Sequence, residues 1–258
     1  MNDIFAALVT SFAVNAGFFV LAATRKTDVV TDLSYGLSFA LTATILALKG
    51  GVDDPLRLAG AGFVLIWALR LVSYLFRRII LIKVDHRFDG RREKPLVFAR
   101  FWTLQALTTV IVMLPVIALL GNGAPRFSFL HVAGALVWLA GFLMESVADA
   151  QKWNWKRAGH KGFMRTGLWS WSRHPNYFGE MLVWWGIWLY ALPSLSGAWH
   201  LAVIGPAFIS ILLLFVSGIP LLEKSADARF GGDSAYEAYK KYTSILFPLP
   251  PHPSGTKG

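Results

Sequence analysis

Residues 101–120, FWTLQALTTVIVMLPVIALL, hold no Asp, Glu, Lys or Arg across twenty positions. An α-helix rises about 1.5 Å per residue, so the run reaches about 30 Å, the thickness of a bilayer's hydrocarbon core. Lipid offers no hydrogen-bond partner, so a segment of this kind must pair every backbone N–H and C=O within itself, and a helix does so. A second clear run lies at 199–222. Five more are mainly apolar over about that length: residues 4–23, 33–49, 58–76, 129–148 and 177–195. The second segment is short, and Pro193 interrupts the sixth late. The expectation is an all-α membrane protein of seven transmembrane helices, one domain over residues 1–248, with a Pro- and Gly-rich tail at 249–258 expected to be disordered.

Composition agrees. The 258 residues are 55% hydrophobic, which argues against a soluble protein. With no Cys, thiolate zinc sites, iron–sulfur clusters, thiol nucleophiles and disulfides are all excluded. Six scattered His without an HExxH leave no metal site to propose. Gly60 and Gly62 lack the third glycine and the strand of a dinucleotide fingerprint and read as helix-packing positions. The formal charge of +10 has no nucleic-acid motif behind it; in an apolar chain it points to basic loops and an anionic ligand.

The distribution of that charge orients the chain. Of the 25 Lys and Arg, 21 fall in the connections on one side of the membrane, and only Lys49, Arg57 and Arg126 on the other, with Arg70 inside segment three. By the positive-inside rule the N-terminus is outside and the C-terminus cytoplasmic. Asp3, rather than a basic stretch, precedes the first apolar segment, so that segment is expected to be retained rather than cleaved. Without an internal repeat, a transporter built of duplicated halves is disfavoured.

Ionisable groups at membrane depth are costly and therefore suspect. Glu145 and Asp149 lie four apart on one helix face at the end of segment five, either as local ion pairs or as ligands for ribose or carboxamide groups. Ser172-Arg173-His174-Pro175-Asn176-Tyr177-Phe178-Gly179-Glu180 is the densest polar run and leads straight into segment six. Pro175 suits a first helical turn, where its missing N–H costs nothing. The free N–H groups there, with Arg173 and His174 beside them, make a phosphate cradle. Asn176 and Glu180, also four apart, either cap helices or read a planar polar head such as nicotinamide carboxamide. Lys156, Arg157 and Arg165 flank the run and are further phosphate candidates. Asp32 opens segment two; it is either an N-cap or a desolvated, neutral acid able to donate a hydrogen bond.

The run Arg173–Glu180, RHPNYFGE, resembles the signature of a superfamily of multispanning membrane enzymes. It comprises steroid 5-alpha-reductases and their bacterial relatives, sterol C14 reductases, and isoprenylcysteine or phospholipid methyltransferases. The RHPxY core is shared by NADPH and S-adenosylmethionine enzymes. Gly218-Ile219-Pro220-Leu221-Leu222-Glu223-Lys224, then Ala226-Asp227-x-Arg229-Phe230-Gly231 and the tail tyrosines Tyr236 and Tyr239, resemble the bacterial branch of the 5-alpha-reductases. That resemblance implies NADPH as cofactor, with Asn176, Tyr177, Glu180, Asp149, Glu145, Glu223, Tyr236 and Tyr239 at its site; Glu145 stands where the steroid enzymes have Asn. Thr31-Asp32-Leu33 is similar to the family's Gln-Glu-Leu, which implies that Asp32 addresses a steroid carbonyl. For the catalytic tyrosine the candidates are Tyr35 and Tyr74, with Trp67 near its position by spacing. The expected activity is NADPH-dependent reduction of the Δ4 double bond of a 3-oxosteroid or similar enone lipid by a monomer in the membrane. A membrane methyltransferase using S-adenosylmethionine and a lipid- or proton-coupled transporter are the alternatives.

Overall fold

The computed structural model describes residues 2–25, 27, 29–50, 53–82, 94–122 and 126–250. Most of the longest basic connection, 83–93, and all of the tail beyond residue 250 lie outside the described residues. The described chain is helical and divides into two compact units: Met1–Ala135 with Ile187–Gly205, and Leu136–Gly186 with Pro206–Gly258.

The first unit is built on α1 (Asp3–Arg25), α2 (Thr31–Gly50), α3 (Pro55–Ile82), α4 (Pro95–Val112) and α5 (Leu114–Gly121). α2 packs against both α1 and α3, and α1 against α4. Small residues permit the close approaches: a Cβ on Gly36 of α2 would fall 2.2 Å from Val72 of α3. Asp3 pairs with Lys49, joining the start of α1 to the end of α2 as antiparallel neighbours require. Inside the unit one set of buried polar groups satisfies itself. Asn15 Nδ2 donates to Ser38 Oγ (2.9 Å), and Gln105 Nε2 donates to Asn15 Oδ1 (2.9 Å) and Ser34 Oγ (2.8 Å). Such a network removes the penalty that lone polar groups would incur at this depth.

The run 101–120, expected as a single helix, is broken. Its parts meet at 52°, between Leu96–Val112 and Leu114–Gly121. Pro115 is the cause, since it lacks the N–H that would bond Ile111 and its ring obstructs a straight continuation. Gly205 approaches the break closely: a Cβ there would lie 2.8 Å from the Val112 carbonyl oxygen.

The second unit takes the C-terminal part of α6 (Phe129–Arg157), the first part of α7 (Pro175–Ala191), the end of α8 (Ile204–Ile211), then α9 (Ile219–Phe230) and α10 (Ser234–Tyr242). The backbones of α6 and α7 meet at two glycines. A Cβ on Gly141 would stand 2.6 Å from the Gly179 carbonyl, and one on Gly179 would stand 2.6 Å from the Glu145 nitrogen. On the opposite side α6 exposes Leu136, Leu139, Leu143 and Val147, a helical apolar stripe of the kind that faces lipid. The seventh segment, like the fourth, is not a single α-helix. It runs through a 3₁₀ stretch at Gly197–Val203, α8, a π-type turn at Leu212–Val216 and a break at Ser217-Gly218 before α9. The Ser217 N–H bonds the Leu212 carbonyl five residues back, at 2.9 Å. A Cβ at Gly218 would lie 2.4 Å from the Leu213 carbonyl oxygen, so only glycine passes there.

By length and composition, five helical stretches among the described residues can cross a membrane, and six if the bent α4–α5 pair is one span. α7 has 17 residues and continues as a 3₁₀ turn at Leu192–Ser194, where Pro193 ends the regular helix. The chain is a multi-pass membrane protein.

Candidate cofactor site

α7 begins as its sequence dictates. Pro175 occupies the first helical position, and the Phe178 N–H bonds the His174 carbonyl at 3.2 Å, which makes His174 the N-cap. The loop before it is tied back to α6. The Leu168 N–H donates to Gln151 Oε1 (2.9 Å), and Trp169 Nε1 donates to the Ala148 carbonyl (3.0 Å). Gly167, at φ 63°, makes the turn possible; a Cβ there would collide with the Gln151 amide at 2.6 Å. α9 is aimed at this loop by the break at Gly218, and α10 starts from Asp233, whose side chain accepts the Ala235 N–H at 2.8 Å.

These elements enclose a cavity of about 290 Å³. Its walls carry Lys152, Lys156, Arg173 and Arg229, and its aromatic faces are Trp155, Phe163, Trp169, Phe230, Tyr236 and Tyr239. Phe163 organises one side, with ring centroids 5.1 Å from Tyr236, 5.4 Å from Tyr239 and 5.7 Å from Phe230. Lys152 Nζ sits 4.1 Å above the Trp169 ring.

The polar centre is Glu223. Its Oε2 lies 2.8 Å from Arg173 Nη1, and its Oε1 lies 2.8 Å from His174 Nε2. Burial lowers the pKa of His174 below its ordinary 6.5, although the hydrogen bond to Glu223 opposes that shift. The imidazole is therefore neutral at pH 7, and because a carboxylate only accepts, Nε2 carries the proton. Nδ1 is then a bare acceptor, and it is buried without a hydrogen-bond partner; Arg173 Nε is a buried donor in the same condition. Tyr236 donates to Asp227 (2.8 Å) and Tyr239 to the Trp169 carbonyl (2.7 Å). Burial raises both phenol pKa values, so both remain protonated donors.

The donor set fits a nucleotide. Lys and Arg suit phosphate oxygens, the aromatic faces suit a base, and the unsatisfied acceptor of His174 and donor of Arg173 await a ligand that offers both functions. At about 290 Å³ the cavity takes a phosphate-bearing portion rather than a whole dinucleotide.

Of the residues anticipated from the sequence, Lys156, Arg173, His174, Glu223, Tyr236 and Tyr239 line this cavity together. Asn176, Tyr177 and Glu180 lie in the first turns of α7 and are not among its lining; Tyr177 stacks on His174 with centroids 5.8 Å apart. Glu145 and Asp149 are buried on α6, and neither lines the cavity. Arg157 and Arg165 are exposed and outside it. Asp32, Tyr35 and Tyr74 belong to the first unit. α2 begins at Thr31, so Asp32 stands one residue inside the helix rather than at its cap. Tyr35 meets Phe39 edge-on at 5.0 Å, and Phe39 meets the fully buried Trp67 at 5.2 Å. Phe163, Trp155 and Trp169 also line the cavity and belong to none of the motifs legible in the sequence. The available signal was their position among Lys and Arg in 152–173, outside every apolar segment.

A family model described as "Protein of unknown function (DUF1295)" matches residues 18–243, so the chain belongs to that family. The 3-oxo-5-alpha-steroid 4-dehydrogenase 1 of Macaca fascicularis is 32% identical over 127 residues, 48% of this chain and 41% of that protein. The Homo sapiens protein of the same name is 31% identical over 127 residues, 48% of this chain and 42% of its own length. An uncharacterized protein of Schizosaccharomyces pombe is 25% identical over 141 residues, 45% of this chain and 40% of that protein. Each match thus spans about two-fifths of the relative's length. Together with the family match, they support membership of the steroid 5-alpha-reductase-like superfamily. No solved structure matches the chain significantly.

Proposed function

We propose that this DUF1295 family member is an NADPH-dependent reductase of a conjugated enone lipid, with the Δ4 double bond of a 3-oxosteroid as its reference substrate. The observation that carries the reading is the cationic, aromatic-walled cavity in which His174 Nδ1 and Arg173 Nε are buried without partners. The similarity to two 3-oxo-5-alpha-steroid 4-dehydrogenases supports the direction of the chemistry. NADPH, when bound, supplies the hydride for the β carbon of the enone.

The chain's own residues hold, orient and stabilise. Lys152, Lys156, Arg173 and Arg229 take phosphate oxygens, with Arg157 and Arg165 available for a ribose phosphate at the rim. Asn176 and Glu180, an amide and a carboxylate one turn apart, read the carboxamide, and Glu145 and Asp149 serve ribose or carboxamide groups. Asp32 addresses the carbonyl oxygen where negative charge develops, and Tyr35 or Tyr74 supplies a hydroxyl donor there. The α carbon takes its proton from solvent. The site faces the cytoplasm, the membrane is a bacterial-type inner membrane, and the working unit is a monomer.

The test is a titration of the purified chain with NADPH, NADH and S-adenosylmethionine, followed through quenching of the cavity tryptophans. NADPH is expected to bind more tightly than NADH, because the 2′-phosphate adds an anionic partner for Arg. Equal affinities, or S-adenosylmethionine binding without NADPH binding, overturn the reading.

A further inference from the structure

After α10 the chain does not leave the second unit. Residues 243–249 run back along the loop that precedes α7 as a strap that bends at 245–247. The Arg173 N–H donates to the Ser244 carbonyl (2.8 Å), the Leu249 N–H to the Trp171 carbonyl (3.0 Å), and Ser172 Oγ to the Leu246 carbonyl (2.8 Å). Ser172 and Ser244 form a parallel bridge. The segment bends at 245–247, and its side chains divide locally between an inner and an outer face. Leu246 is buried at 4% exposure, whereas Ile245, Phe247 and Leu249 are 44%, 62% and 58% exposed. Trp171 and Tyr242 are exposed alongside them. Three outward apolar side chains between Trp and Tyr, next to Lys240 and Lys241, compose a membrane-interface surface rather than a solvated one.

The depth of the strap supports this. The lipid-type stripe on α6 ends at Val147, and Trp169 Nε1 bonds the carbonyl of the next residue, Ala148. The loop carrying Trp171, Ser172 and Arg173 is therefore moored where the apolar surface of α6 stops, and the strap is bonded to that loop. Phe247 also packs on Phe178 in the first turn of α7, with centroids 5.5 Å apart.

We propose that residues 243–250 are an interfacial anchor. Ile245, Phe247 and Leu249, with Trp171, rest in the headgroup–acyl boundary of the membrane, Lys241 meets anionic headgroups, and this seating holds the loop that places Arg173 and His174 in the cavity wall. The partner is the lipid surface itself, and the inference does not depend on which nucleotide the cavity takes.

The absence of native cysteine makes the test direct. Single cysteines placed by Phe247→Cys, Leu249→Cys and Glu237→Cys in the full chain are labelled with an environment-sensitive fluorophore. The protein is reconstituted in phosphatidylcholine–phosphatidylglycerol vesicles carrying a nitroxide near the acyl carbonyl. Labels at 247 and 249 are expected to emit to the blue and to lose most of their intensity to the lipid nitroxide, while the label at exposed Glu237 is quenched by aqueous iodide instead. Should loss of the Phe178 contact unfold the first variant, the Leu249 position carries the measurement. Iodide quenching at 247 and 249 equal to that at 237 overturns the anchor, and so does protection from both quenchers, which signifies a second copy or another protein on this face. In the Ile245→Asp/Leu249→Asp variant, amide exchange at Arg173 should accelerate about tenfold or more in the same vesicles. Unchanged exchange shows that the seating does not hold the loop.

Discussion

Replacing Glu223 by Gln tests the polar centre of the cavity. The substitution preserves size and leaves one carbonyl oxygen able to accept from His174 Nε2, 2.8 Å away, but it removes the charge opposite Arg173 Nη1, also at 2.8 Å. The His174 contact is a hydrogen bond to a charged group, which contributes about 1.5–3 kcal/mol, and the Arg173 contact is an ion pair without hydrogen-bond geometry. The Glu223 side chain is 19% exposed and that of Arg173 12%, so solvent screens the pair only in part, and losing one strong contact while weakening another costs about 2–3 kcal/mol. Two quantities should therefore move together. Thermal unfolding in detergent should shift downward, and nucleotide affinity should fall about tenfold to a hundredfold, because Arg173 and His174 lose the group that fixes their orientation. Glu223→Asp retains the charge on a shorter stem and should recover part of each. The assays are a melting curve and a titration read through the cavity tryptophans. A Glu223→Gln protein that melts and binds as the wild type does would show that the triad of Glu223, Arg173 and His174 organises nothing, and the cavity would lose its claim as the cofactor site.

Three further outcomes are expected. Glu180→Gln should leave the protein folded and extractable from membranes yet sharply reduce enone-dependent NADPH oxidation; undiminished turnover would make Glu180 structural. Along the series Asp32, Asp32→Asn, Asp32→Leu, activity should fall at each step, because one lost donor to a developing oxyanion costs roughly 2.7–4 kcal/mol, about a hundredfold to a thousandfold in rate. NADPH affinity should hold steady through that series, and full activity in Asp32→Asn would refute a carbonyl role. The third outcome concerns pH. With its folded pKa below the ordinary 6.5, His174 takes up its proton in the unfolded chain first, so stability present at pH 7.5 should decline as pH drops through 6.5 and level off below the folded value. The slope from this group is at most about 1.4 kcal/mol per pH unit, and His174→Gln should remove it; an unchanged slope in that variant would assign the dependence to another group.

Hydropathy is a local property, and what depends on it was legible in the chain. α1, α2, α3 and α6 lie where their apolar segments put them, and Pro175 opens α7 because a residue without an N–H is tolerated in that turn. Helix continuity was less legible. The two most uniformly apolar segments, 101–120 and 199–222, are the ones that break, since composition says that a stretch prefers lipid but not whether its backbone runs straight. Pro115 accounts for the first break and was visible as a proline; the π-type turn before Gly218 follows from backbone closeness at Leu213 and had no local mark.

The cavity divides along the same line. Arg173, His174 and Glu223 could be named individually from motifs, because their types and neighbours are written in consecutive residues. That Glu223 serves both Arg173 and His174 across about fifty residues of chain is a consequence of α9 turning at Gly218. Phe163, Trp155 and Trp169 were hidden for a different reason: an aromatic residue in a membrane protein is ambiguous until something packs on it, and Phe163 gains its meaning only from Tyr236 and Tyr239 seventy-odd residues later. The strap shows the division most plainly. The apolar run Ile245-Leu246-Phe247-Pro248-Leu249 is present in the sequence, but which of its side chains turn inward was decided by hydrogen bonds to Trp171, Ser172 and Arg173, partners that only the folded chain brings within reach.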